Sequence, residues 1–152
     1  MQLNDAEQIV IQYLAKKRIE YNRNVGAIAT VYGGRNPLKA EIDYYGAEFV
    51  FCKQFNIYPD ISISKFGEYD CIYEGFTIDI KHTERENGRL LVKAKRWDNP
   101  PKYFALMIGT FPNYRFAGFY LSSELLQEKN LDHTLPYPAY AISQDKLYKE
   151  LI

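Results

Sequence analysis

The chain reads as a single α/β domain, and three features of its 152 residues point there. Two segments repeat their apolar residues at helical spacing, one at the start of the chain and one after Asp43. Between Ile61 and Leu121 the pattern changes to short alternating or continuously apolar runs, separated by Gly, Asn and Pro, as strands joined by turns require. The composition, 47% hydrophobic and 25% charged, suits one substantial core, so residues 1–152 are taken as one domain.

The elements follow in order. Asn4 stands as an N-cap with Glu7 three residues on, and Val10, Tyr13, Leu14 and Tyr21 continue at helical spacing, which predicts a helix from Asp5 to about Tyr21. Residues 22–40 hold Gly26, Gly33, Gly34 and Pro37 beside basic Arg23, Arg35 and Lys39. They read as a loop or mobile arm with a short strand at Ala27–Tyr32. A second helix is expected from Asp43 to Asn56, with Tyr45, Phe49, Cys52 and Phe55 on one stripe and Glu48 inside it. A carboxylate on an apolar stripe needs a cation or a metal, because an ionised group taken from water is costly when unpaired; an edge position on a broad apolar face is the other reading.

Alternation in ISISK predicts a strand at Ile61–Lys65. The stretch DCIYEGFTIDIK, Asp70–Lys81, then has the rhythm of a hairpin turning at Glu74-Gly75. That turn sets Tyr73 against Phe76, Ile72 against Thr77, Cys71 against Ile78, and Asp70 against Asp79. Cys71, Tyr73, Phe76, Ile78 and Ile80 share the core face; Asp70, Ile72, Thr77, Asp79 and Lys81 take the other. Opposed carboxylates repel at cross-strand distance, so Lys81 or a divalent metal must compensate them. An exposed Asp/Lys face on an edge hairpin would account for the same residues. Further on, Leu90–Ala94 reads as a short strand or the start of a helix, and Tyr103–Gly109 and Phe116–Leu121 as buried strands. Ser122-Ser123-Glu124 caps a short helix, and Ser143 opens an expected C-terminal helix.

Nineteen Lys plus Arg balance nineteen Asp plus Glu. This argues against indiscriminate polyanion binding but not against a metal-assisted site, which must itself be acidic. Cys52 and Cys71 sit among apolar residues without a C-x-x-C spacing, so reduced buried thiols are expected rather than a disulfide or zinc site. No run is long and apolar enough to span a membrane and the start is polar, which places the protein, as an expectation, in the cytoplasm.

The order of these parts, a helix with Glu48, a hairpin with Asp70 and Asp79-Ile80-Lys81, then two more strands, resembles the PD-(D/E)XK nuclease superfamily. The likeness spans roughly Asp43 to Leu126 and is nearest to small nucleases of phages and mobile elements, whose pattern appears here as GAEF, DCIYEGFTIDIKHT and GFYLSSEL. One departure is that Asp70 follows Tyr69 rather than proline; Pro59-Asp60 is a literal Pro-Asp pair, which makes Asp60 a rival first ligand.

The resemblance implies a restriction-endonuclease-like fold, a mixed central β-sheet flanked by helices. It also implies hydrolysis of phosphodiester bonds, most plausibly of DNA, as an endonuclease rather than an exonuclease, leaving a 5′-phosphate. Asp70 and Asp79, with the backbone carbonyl of Ile80, are then expected to hold one or two Mg2+ or Mn2+ ions, and Glu48 a second ion or its water. Lys81 is expected to orient the attacking water in preference to deprotonating it, since two carboxylates favour the charged ammonium. Arg35, Lys39, Arg85, Arg89, Lys93, Lys95 and Arg96 are candidate contacts to duplex, branched or single-stranded DNA, with Trp97 available to stack. Cutting both strands of a duplex would suit a homodimer. The rival class is a catalytically inactive protein of this fold that binds nucleic acid or a protein partner.

Overall fold

The computed structural model describes residues 1–26, 34–64, 67 and 69–152. The strand expected at Ala27–Tyr32 and residue Lys65 lie outside them.

Helix α1 runs Asp5–Asn24 and opens with a capping box: Asn4 Oδ1 accepts from Glu7 N at 2.9 Å, and Glu7 Oε2 accepts from Asn4 N at 2.7 Å. Its inward stripe is Ile11, Ala15 and Arg18, one residue out of phase with the expected one, so Val10 and Tyr13 face solvent. Helix α2 spans Pro37–Gln54, starting two turns earlier than the sequence reading. Asn36 accepts from Leu38 N and Lys39 N, and Pro37 occupies the first turn, where no intrahelical N–H is needed. What reads as a loop break is a helix start. α2 ends in a Schellman motif: Ile57 N bonds Cys52 O at 2.8 Å across Asn56, whose φ is 55°.

Strands β1 (Cys71–Tyr73) and β2 (Phe76–Thr83) form the expected hairpin with three of the four expected pairs, Cys71 to Ile78, Ile72 to Thr77 and Tyr73 to Phe76; the fourth, Asp70 to Asp79, is not a ladder pair, because Asp70 N bonds Ile78 O and its carboxylate turns onto the Ile80 N–H. Glu74 and Gly75 have φ of 50° and 82°, the paired left-handed values of a type I′ turn, which matches the twist of the strands it joins. After β3 (Leu90–Lys93) come β4 (Tyr103–Thr110) and β5 (Asn113–Leu121), helix α3 (Ser122–Leu125), β6 (Leu131–Asp132) and β7 (Ala139–Ile142). β2 and β4 are parallel, which makes the four-stranded sheet β1-β2-β4-β5 mixed; β3-β7-β6 form a second, antiparallel sheet. The whole is one α/β domain.

Every residue of β4 from Tyr103 to Ile108 is buried, because both faces of the main sheet are covered. Tyr103, Ala105 and Met107 meet Tyr45, Val50 and Phe51 of α2 together with Ile78 and Ile80 of β2. Phe104, Leu106 and Ile108 pack on the opposite face with Leu90 and Val92 of β3 and Ile142 of β7.

Two expected elements are absent. Ile61–Ser64 is irregular rather than a strand: Ile61 and Ile63 are exposed, and the carbonyls of Asp60 and Ser62 bond side chains of α1 and α2 instead of a ladder. The expected C-terminal helix is a single 3₁₀ turn, Gln144–Lys146, after which Tyr148 pairs with Phe119 of β5. Leu147 is buried from an extended segment.

Candidate functional site

The site begins with a mismatch in strand length. β1 begins only at Cys71, so β2 has a β1 partner only up to Ile78, while its other edge stays paired to β4 through Thr83. From Asp79 onward one edge of β2 is open, and a cleft of about 550 Å³ lies along it. α2 closes one side through Glu41, Tyr44 and Glu48, spaced three and four residues apart and therefore on one helical stripe. β3 closes the other through Arg89, Leu91 and Lys93, the alternate residues left outward when Leu90 and Val92 turn into the core.

All five residues of the expected metal and catalytic set, Glu48, Asp70, Asp79, Ile80 and Lys81, border this cleft. Asp70 Oδ2 accepts the Ile80 N–H at 2.6 Å, which satisfies the first edge group that β1 leaves without a ladder partner. A residue's N–H and C=O leave a strand on the same side, so the Ile80 carbonyl also faces the open edge. Asp79 is 8% exposed, and its Oδ1 lies 2.6 Å from Lys81 Nζ. The Lys81 ammonium sits 5.8 Å from the Phe104 ring centroid, which places its stem against the apolar face of the sheet.

Glu48 answers the question raised by its place on an apolar stripe. Its Oε2 is 4.0 Å from Nη1 of Arg18, a buried arginine that the sequence reading missed. Arg18 donates from Nε to Ser62 O and from Nη2 to Asp60 O, both at 3.0 Å, and lies 4.0 Å over the Tyr45 ring. The signal was available in the sequence: Arg18 falls seven residues after Ile11 on the inward stripe of α1, as Glu48 falls on that of α2.

His82 also borders the cleft, between Tyr44 and Tyr114 at edge-on ring distances of 5.8 and 5.7 Å. Its Nε2 donates to Gly109 O at 2.7 Å. Burial lowers its pKa below the ordinary imidazole value, against the opposing pull of that carbonyl and of Asp43, and its Nδ1 is buried with no hydrogen-bond partner among the described residues.

Asp60 does not border this cleft: its Oδ1 accepts from Ser62 N at 2.9 Å, and it lines a neighbouring hollow shared with Asp70. Of the seven expected nucleic-acid contacts, only Arg89 and Lys93 reach the cleft. Arg35 pairs with Glu84, Lys39 with buried Asp43 at 2.9 Å, Arg89 with Asp132 at 2.8 Å and Arg96 with Asp98 at 2.7 Å. Lys95 covers one face of the Trp97 ring at 4.0 Å, and Phe104 meets that ring edge-on. Arg85 is exposed and lies away from the cleft lining.

The donor chemistry fits a hard cation: two carboxylates and a carbonyl, all oxygen. Among the described residues no three His, Cys, Asp or Glu side chains stand close enough to hold an ion. No helix among the described residues is long and apolar enough to cross a membrane. No family model, no curated protein and no solved structure matches the chain.

Proposed function

We propose that the protein is a divalent-metal-dependent nuclease of the PD-(D/E)XK kind, hydrolysing phosphodiester bonds of DNA as an endonuclease. The observation that carries this reading is that Glu48, Asp70, Asp79 and Lys81 line one cleft along the edge of β2, with Asp70 bonded to the Ile80 N–H beside Asp79. Asp70, Asp79 and that carbonyl would hold Mg2+ or Mn2+. When bound, such an ion polarises the scissile phosphate and makes a water a competent nucleophile near neutral pH.

The chain's own groups do the rest. Lys81, charged and 2.6 Å from Asp79, donates hydrogen bonds that orient a water against the phosphate. Glu48, held by Arg18, accepts from the same water and fixes its second proton. Arg89 and Lys93 on the β3 wall take phosphate oxygens next to the one attacked. The rival reading, a non-cleaving binder, draws on the internal pairing of Asp79 with Lys81 and Glu48 with Arg18, which offsets both carboxylates without a metal.

Incubation with supercoiled plasmid, single-stranded and four-way-junction DNA in Mg2+, Mn2+ or EDTA separates the two. Cleavage is expected with metal only, and Asp79→Ala and Lys81→Ala, each checked for folding, should lose about a hundredfold or more. Saturating Mn2+ should also raise the melting temperature, by about 2.7 kcal/mol of stability at a hundred times its dissociation constant. Undiminished cleavage by both variants, or none by the wild type in either metal, would sink the proposal.

A further inference from the structure

The cleft has two unlike walls, and the difference bears on which DNA it takes. A duplex carries one charge per about 1.7 Å of axis, so a protein that tracks it needs a run of available cations. Among the described residues, Arg35, Lys39 and Arg96 are instead engaged with Glu84, Asp43 and Asp98. Arg89, just before β3, and Lys93 within it line the β3 wall, while the other basic residues of the cleft, Lys81 and Arg18, lie beside Asp79 and Glu48. The α2 wall is acidic and aromatic instead, with Tyr44 between Glu41 and Glu48. Tyr44 is 44% exposed, and Ile63 beside it at the cleft is 39% exposed.

A volume of about 550 Å³ is in the range of sites for single small ligands. That is room for a nucleotide and its neighbour's phosphate. The phosphate of a single strand can lie on the basic β3 wall while its base reaches the Tyr44 ring, an arrangement that matches each wall to one part of a nucleotide. In a duplex the base is stacked and paired within the helix and cannot reach the α2 wall.

We infer that the cleft binds single-stranded DNA, with a base stacked on Tyr44 and its phosphate held by Arg89 and Lys93. The identity of the ligand as DNA rests on the nuclease reading; the strand preference rests on the walls. Stacking is tolerant of base identity, so little sequence preference follows. With two phosphate contacts, the logarithm of affinity should fall with the logarithm of salt at a slope of roughly −1.4.

Fluorescence anisotropy tests this with a labelled oligothymidylate of about a dozen nucleotides and a mixed-sequence duplex of the same length, in Ca2+ and in EDTA. The expected result is single-strand binding about tenfold tighter than duplex binding in Ca2+, a further loss of about tenfold in Tyr44→Ala, and retention in Tyr44→Phe, which keeps the ring. Should Tyr44→Ala fail to fold, Tyr44→Leu removes the aromatic face while filling the space. Duplex binding as tight as single-strand binding, no binding of the oligothymidylate in Ca2+, or unchanged affinity in the folded variant lacking the ring would each overturn the inference. The two readings fail separately. A protein that binds the single strand in Ca2+ yet leaves it intact in Mg2+ and Mn2+ loses the nuclease proposal and keeps this one; a protein that cuts DNA but prefers duplex does the reverse.

Discussion

Replacing Arg18 with methionine tests how the Glu48 side of the cleft is built. Arg18 is 4% exposed and joins three elements: α1 that carries it, the segment through Asp60 and Ser62 whose carbonyls it bonds at 3.0 Å, and α2 through Tyr45 and Glu48. Methionine keeps the apolar stem, so the cavity term is small and the loss comes from polar contacts. A hydrogen bond to a charged group contributes about 1.5–3 kcal/mol. The Asp60 carbonyl retains the Tyr45 hydroxyl at 2.8 Å, which halves the damage there, whereas the Ser62 carbonyl loses its side-chain donor. Glu48, at 18% side-chain exposure and 4.0 Å from the lost guanidinium, regains water at modest cost. The sum is about 3 kcal/mol, a large share of the roughly 5–15 kcal/mol a domain possesses, yet short of unfolding it. Urea titration should show the midpoint falling by about 1.5 M at an unchanged slope of about 2 kcal/mol per M. A double-mutant cycle with Glu48→Gln should return a coupling of about 1 kcal/mol, which a purely steric role for Arg18 would not give. A loss under about 1 kcal/mol, or additive single and double variants, would refute the claim that Arg18 anchors Glu48.

Three more outcomes follow from single positions. Glu74 holds a φ of 50° in the hairpin turn, so Glu74→Asn should raise stability by about 0.5 kcal/mol, read as a small upward shift of the melting temperature; a downward shift would contradict the type I′ assignment. Asp132 is held down at about 2 by the Thr134 hydroxyl first and by Arg89 next, so its folded value lies below its unfolded one; its contribution is present above the ordinary carboxylate range and lost only as pH falls through about 2. Asp132→Asn removes the acid that competes with phosphate for Arg89, so single-strand affinity at neutral pH should rise by about threefold in anisotropy titrations while the salt slope stays near −1.4. A Cβ on Gly46 of α2 would fall 2.5 Å from the Tyr114 hydroxyl, a buried group with no hydrogen-bond partner among the described residues. Gly46→Ala should thus cost about 1–3 kcal/mol in chemical denaturation despite the better helix propensity of alanine, and Tyr114→Phe in the same chain should restore part of it.

Much of the fold was legible where a local rule has a strong period. The hairpin register could be read to the residue, because a two-residue turn and a side-chain period of two leave little freedom. Glu48 stood out because a charged residue on an apolar stripe is a conflict that only tertiary structure resolves. The failures have equally physical causes. Alternation in Ile61–Ser64 implied a ladder, but the segment's carbonyls are taken by Arg18 and Tyr45, donors from two helices that no local pattern announces. The basic residues formed a cluster in sequence, yet whether each is available depends on acids far along the chain, as with Arg89 and Asp132. Pro37 was read as a breaker, although Asn36 before it makes the pair a helix start.

The placement of the cleft itself follows from an inequality that the sequence states only in part. β1 has three residues and β2 eight, so β2 must run on past its neighbour with edge groups that a ladder would have satisfied. An open apolar edge invites pairing with another chain. This chain answers with Asp70 accepting the Ile80 N–H, with Asp79 and Lys81 on the projecting length, and with α2 and β3 on either side. The devices that protect an edge are therefore the same groups that, on the proposed nuclease reading, would hold a cation and a phosphate. A charge-removing change such as Asp79→Ala should accordingly do two things at once, abolishing metal-dependent cleavage and increasing self-association, measurable by sedimentation. Loss of activity without any rise in association would show that α2 and β3 alone guard the edge and that the charges serve chemistry only.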